Sequence, residues 1–107
     1  GSTAISTPTL NTLAADGLVL TNFYSPAPVC TPARAGFLTG RLPLRAGMPR
    51  VVFPTGHFVD YLMSTGDINK RIPAEEITMA DVLQASGYAT GMVGKWHLGD
   101  RSPSLPN

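Results

Sequence analysis

Pro28-Val29-Cys30-Thr31-Pro32-Ala33-Arg34-Ala35-Gly36-Phe37-Leu38-Thr39-Gly40-Arg41 is the stretch around which the chain is organised, because it carries the single cysteine into the predicted start of a helix. Pro32 suits the first helical position, where its missing N–H is not needed, so Thr31 or Cys30 is expected to cap the helix and Gly40 to end it. The positive end of the helix dipole and the Arg34 guanidinium then share one region, which favours an anion. Two readings of Cys30 stay open on these residues alone. A lone cysteine is commonly a small buried apolar residue, whereas a thiol at a helix N-terminus beside an arginine is acidified and reactive.

Upstream, Thr7 as cap and Pro8 in the first turn predict a short helix with Leu10, Leu13 and Ala14 on one face and a left-handed stop at Gly17. Leu18-Val19-Leu20-Thr21-Asn22-Phe23-Tyr24 reads as a strand with an apolar start, and Ser25-Pro26-Ala27-Pro28 as a turn-forming connector. Downstream, residues 42–71 are broken by Pro43, Gly47, Pro49, Pro54, Gly56 and Gly66 and read as irregular loop. A short strand at Arg50-Val51-Val52-Phe53 and a turn or two of helix near Val59 to Met63 are expected within it. His57, Asp60, Tyr61, Asp67 and Lys70 fit a substrate rim and fit a solvated excursion equally well.

Thr78-Met79-Ala80-Asp81 is a capping box that predicts a helix burying Met79, Val82 and Leu83 and stopping at Gly87. Tyr88 to Val93 then reads as a strand, with Gly94-Lys95-Trp96-His97 at its carboxyl end, the edge where open α/β sheets gather ligands. Lys95 and His97 can therefore meet Cys30 in space. Alternation in an extended segment puts those two on one side and Trp96 opposite, as a core or wall residue. Lys95 offers a point cation for an oxyanion, and His97 a donor or acceptor near neutral pH. Arg41, at the far end of the cysteine helix, is expected to stabilise the surrounding loop rather than touch substrate.

The chain has 107 residues, which suggests one domain, and a compact one of this length buries about two thirds of its unfolded surface. Its 8 basic and 7 acidic residues nearly balance, so there is no electrostatic footprint for nucleic acid or an anionic membrane. One cysteine permits no internal disulfide. No apolar run approaches the ~20 residues of a membrane span, and the first residues lack the basic and apolar regions of a secretory signal.

Cys30-x-Pro32-x-Arg34, followed by Leu38-Thr39-Gly40-Arg41, resembles the active-site signature of the sulfatases. A second stretch, Gly87-Tyr88-Ala89-Thr90-Gly91-Met92-Val93-Gly94-Lys95-Trp96-His97-Leu98-Gly99, resembles that family's second signature, in the family's order and at a similar separation. Ser6-Thr7-Pro8-Thr9-Leu10 through Gly17 is similar to the segment before the family's cysteine loop, so roughly Val52 to Arg71 is the part without a clear match. The resemblance implies an alkaline-phosphatase-like α/β fold with a mostly parallel sheet flanked by helices, of which residues 1–107 would be an N-terminal portion, incomplete and inactive by itself. It implies hydrolysis of sulfate esters through a formylglycine made by oxidising Cys30, with Pro32 and Arg34 needed for that oxidation. In the mechanism so implied, the hydrated aldehyde attacks sulfur, the alcohol leaves, and the second hydroxyl expels sulfate, a last step that a thiol cannot perform. Arg34 would hold the formylglycine, Lys95 bind the sulfate and His97 hydrogen-bond the nucleophile. Ala33 stands where serine is commoner, a departure expected to be tolerated.

The family also implies calcium, bound through Cys30 as formylglycine and through carboxylates on segments that this chain lacks. Calcium takes six to eight oxygen ligands. The acids present, Asp16, Asp60, Asp67, Glu75, Glu76, Asp81 and Asp100, show no ligand spacing, and Asp100 is given no metal role. The implied partners are a sulfated small molecule or glycan and the rest of a sulfatase chain; the implied setting is periplasmic, secreted or lysosomal. A related formylglycine-dependent phosphate or phosphonate ester hydrolase and a non-catalytic truncated module are the alternatives. A cysteine phosphatase would need arginine where Gly36 stands, and a thiol peroxidase would need threonine where Ala27 stands.

Overall fold

The computed structural model describes residues 4–54, 56–59, 70–100, 102 and 104–106. Helix α1 runs Pro8–Asp16 after Thr7, as the proline and threonine predict. Gly17 ends it in an extended conformation, φ −123°, and not in the expected left-handed one. Glycine still matters there, because a Cβ would lie 3.0 Å from the Leu13 carbonyl oxygen.

Helix α2 spans Cys30–Thr39 and begins earlier than the position of Pro32 suggests. Val29 is its cap residue, no side chain caps it, and Pro32 is the third residue inside it. A proline is tolerated there because the first four N–H groups of a helix have no intrahelical acceptor anyway. Neither Thr31 nor Cys30 is the cap. Gly40 closes α2 with a left-handed φ of 67°, its N–H donating to the Gly36 carbonyl at 2.9 Å. Gly36 is required by packing, since a Cβ would stand 2.5 Å from the Pro26 ring.

Helix α3, Met79–Ala85, starts on the capping box read from the sequence. The Asp81 carboxylate accepts from both the N–H and the hydroxyl of Thr78 at 2.7 Å, while the Asp81 N–H donates back to the Thr78 hydroxyl at 3.3 Å. The last turn gives way at Ser86, with Gly87 at φ 87° just beyond.

Among the described residues no segment is a strand. The three expected strands at Leu18 to Tyr24, Arg50 to Phe53 and Tyr88 to Val93 are therefore not formed. Aliphatic runs supply strand propensity, but a strand exists only when another segment satisfies its backbone groups, and these segments do not pair with one another. At Val52 both the N–H and the C=O bond to side chains instead of a neighbouring strand.

The buried core is Ala35, Ala46, Met48, Ile72 and Leu98, with Leu38, Val52 and Trp96 packed against it. Ala46 and Met48 belong to the segment read as loop, so its first part folds inward; turn bonds from Ala46 to Leu42 and from Met48 to Pro43 hold it. Phe58 and Val59 are helical, and the rest of the helix expected there lies outside the described residues. Arg41 pairs with Glu76, whose side chain is only 6% exposed, and so ties the end of α2 to the approach to α3.

Little else is covered. The accessible surface is 8423 Å², against about 5,700 Å² for a compact monomer of this mass. Met79, Val82 and Leu83 of α3, expected to be buried, are between 40% and 56% exposed, and Leu10 and Leu13, on one face of α1, are 63% and 68% exposed. The face of α1 is largely exposed, whereas Met79 and Leu83 of α3 are partly covered and share a cavity wall with Leu38 and Trp96.

The capping box gives a pH-dependent prediction. Hydrogen bonds from Thr78 hold the Asp81 carboxyl below its ordinary pKa. The folded carboxyl then binds its proton less readily than the unfolded one. Its stabilising effect is present above the unfolded pKa and is lost as pH falls through the folded one. Thr78→Ala is expected to weaken α3 by about 0.5–2 kcal/mol at neutral pH, with the gap between the two chains closing on acidification; amide hydrogen exchange across α3 is the measurement.

Candidate active site

Thr31 is fully buried, and its hydroxyl joins three distant parts of the chain. It donates to the His97 carbonyl at 3.1 Å and accepts from the Val52 N–H at 3.3 Å. His97 closes the circuit, its Nε2–H donating to the Val52 carbonyl at 2.8 Å. A carbonyl oxygen only accepts, so Nε2 carries a proton, and in a neutral imidazole Nδ1 is then an acceptor. That Nδ1 is buried and has no partner among the described residues.

Among the described residues His97 is also the non-glycine residue with a left-handed backbone, φ 62°. Such a conformation costs on the order of 1–3 kcal/mol and persists only where the surroundings impose it. Here the surroundings are the two bonds just given, one on the His97 carbonyl and one on its ring.

Arg34, one turn into α2, donates from Nη1 to the Lys95 carbonyl. Its Nε is buried without a partner among the described residues. The first turns of α2 are thus bonded at Thr31 and Arg34 to the main chain of His97 and Lys95. The helix bearing Cys30 and the segment bearing the cation and the imidazole form one unit. Cys30 itself is a half-buried free thiol at the first position of α2. Pro32 beside it is buried, and the Lys95 side chain is exposed.

The segment 94–97 is not the regular extended run expected from alternation, since Gly94 at φ 118° and His97 at φ 62° both turn it. Trp96 is a wall residue as expected. It packs against the core, and its Nε1–H donates to the Ser104 carbonyl at 2.7 Å. Ser104 in turn donates to the Ile72 carbonyl at 3.0 Å, and the Ile72 N–H to the Leu98 carbonyl at 2.7 Å, which anchors the chain just after His97.

Of the rim candidates, His57 is exposed and stacks on Phe53 with ring centres 5.6 Å apart. Lys70 is half-buried, and Asp60, Tyr61 and Asp67 lie outside the described residues. Among the described residues no group of three or more His, Cys, Asp or Glu could hold a metal ion, so they do not build a calcium site by themselves. No helix among them is long and apolar enough to cross a membrane. A cavity of about 530 Å³ is lined by Leu38, Ile72, Glu76, Met79, Trp96 and Leu105 among others, but by none of Cys30, Arg34, Lys95 or His97. The candidate site is therefore the junction at Thr31, a residue that sequence reasoning treated only as a cap.

The family described as Sulfatase matches residues 1–104. Human arylsulfatase A is 51% identical over 100 residues, which cover 92% of this chain and 17% of that protein. Rat steryl-sulfatase is 43% identical over 99 residues, 92% of this chain and 16% of its own length. Arylsulfatase G from Canis lupus familiaris is 44% identical over 101 residues, 94% of this chain and 17% of its own. The chain thus spans about one-sixth of the length of the curated relatives it matches. No solved structure gives a significant match.

Proposed function

The chain belongs to the sulfatase family, and from that premise we propose that a full-length protein carrying it hydrolyses sulfate esters with Cys30, oxidised to formylglycine, as its nucleophilic residue. Addition of water to the formylglycine aldehyde would give a gem-diol, one hydroxyl of which is the nucleophile and the other the group that later expels sulfate, which a thiol does not offer.

The observation that carries the reading is the pair of polar atoms left over at the junction. Arg34 Nε–H is a buried donor and His97 Nδ1 a buried acceptor, and neither has a partner among the described residues. Leaving such groups unmade costs about 1–3 kcal/mol each, more for a charged one. A hydroxylated carbon at position 30 offers what both need, an oxygen to accept from Arg34 and an O–H to donate to His97. Cys30 is unbridged and partly exposed, as an oxidisable residue must be.

The roles follow from these groups. Arg34 holds the oxidised side chain with its free Nε–H while its Nη1 fixes the Lys95 carbonyl. His97 takes the proton of the attacking hydroxyl at Nδ1. Lys95, exposed at the edge of the junction, places its ammonium against the sulfate oxygens and balances their charge. Binding of calcium, with residue 30 among its ligands, is proposed only for the completed enzyme, with the remaining ligands outside these 107 residues. For the same reason the isolated chain is expected to be inactive.

In a full-length protein carrying this chain, Cys30→Ala is expected to abolish turnover of an aryl sulfate while leaving thermal unfolding unchanged; retained turnover would refute the role of residue 30. Lys95→Ala is expected to weaken inhibition by free sulfate by about 1.5–3 kcal/mol, the range for a hydrogen bond to a charged group, and an unchanged inhibition constant would remove Lys95 from the sulfate site.

A further inference from the structure

We propose that Thr31 is a positioning residue of this site, its hydroxyl setting the His97 imidazole relative to Cys30; the inference rests on the sulfatase reading above. The Thr31 side chain is 0% exposed, so its hydroxyl has no solvent to bond with, and its donor and one acceptor position are committed to His97 and Val52. The three residues form a closed triangle of hydrogen bonds at 3.1, 3.3 and 2.8 Å. Each corner is held by the other two.

Within that triangle His97 is fixed at both ends, the carbonyl by Thr31 and the ring by the Val52 carbonyl. Its left-handed φ of 62° is the strained feature that this double hold maintains. The direction of a side chain follows its backbone, so a return of His97 to an ordinary negative φ would swing the imidazole. Removing the hydroxyl also frees the Val52 N–H, and with it the loop whose carbonyl selects the Nε2–H tautomer. Because Thr31 directly follows Cys30 in the first turn of α2, the same hydroxyl ties the position of the sulfur-bearing residue to that of the ring. Valine has the shape of threonine but cannot donate. A residue that merely fills space would tolerate it, and a positioning residue would not.

The test uses a full-length protein carrying this chain, with rates expressed per formylglycine-bearing molecule counted by mass spectrometry. Thr31→Val is expected to lower kcat for an aryl sulfate by about 10- to 100-fold, the size of effect known for partners that orient metal-ligating histidines, with KM little changed. Thr31→Ser, which keeps the hydroxyl, should restore kcat. In a His97→Ala background, Thr31→Val should cost nothing further, since its effect passes through the imidazole. Unchanged kcat in Thr31→Val, or an equal additional loss in the His97→Ala background, would overturn the proposal. Wild-type turnover tests the sulfatase reading separately. Whatever that turnover is, nitrogen-15 spectra of the His97 ring should show the Nε2–H tautomer in the wild type and a mixture in Thr31→Val or, if that chain does not accumulate, in Thr31→Ala. A tautomer ratio that does not change between them would also overturn it.

Discussion

One buried hydroxyl bonds residues 66 positions apart in sequence, Thr31 and His97, and the arrangement of the rest depends on it. A hydrogen bond nets only about 0.5–1.5 kcal/mol, too little to close so long a stretch of chain unaided. The apolar contacts of Ala35, Met48, Ile72 and Leu98 lie beside it and supply the rest of the attraction. The core draws the two segments together; the directed bonds of Thr31 and Arg34 decide their register. That division of labour explains why a polar residue is buried completely at the centre of the junction and why it is satisfied on both sides.

Around this junction the chain is sparsely covered. The apolar face of α1 is open and that of α3 partly so, and the segments Leu18 to Leu20 and Tyr88 to Val93 form no strand. Membership of the sulfatase family implies an alkaline-phosphatase-like α/β fold, and the strands of such a fold are not formed among the described residues. The junction, by contrast, is formed by this chain, with only Arg34 Nε and His97 Nδ1 left without partners among the described residues. Its hydrogen bonds, its strained histidine and its half-buried arginine are all provided by segments of this one chain.

Much of this was legible from residues alone. The Thr78-Asp81 box, the Thr7-Pro8 start and the Gly40 stop are local signals whose geometry is set within one turn, and the helices obey them. The pairing of the cysteine helix with the Lys95 to His97 segment was expected at the carboxyl end of a strand at Tyr88 to Val93; the pairing forms although that strand does not. What could not be read was set by contacts distant in sequence. Strand propensity at Val52 gave no hint that its N–H and C=O would be taken by side chains. Thr31 looked like a cap because a threonine before a proline usually is one, and nothing local announces that its hydroxyl faces a carbonyl 66 residues later. The left-handed turn at His97 breaks the alternation that Gly94 to His97 suggested, and it is imposed by tertiary bonds alone.

For the proposal that Thr31, Arg34 and His97 frame an oxidised Cys30, the most direct measurement is the mass of the peptide bearing residue 30, taken from the native full-length protein. A peptide lighter than the thiol form, with the aldehyde trapped by a hydrazine reagent, is the predicted result. An intact thiol at position 30 in a protein that still cleaves sulfate esters would contradict it.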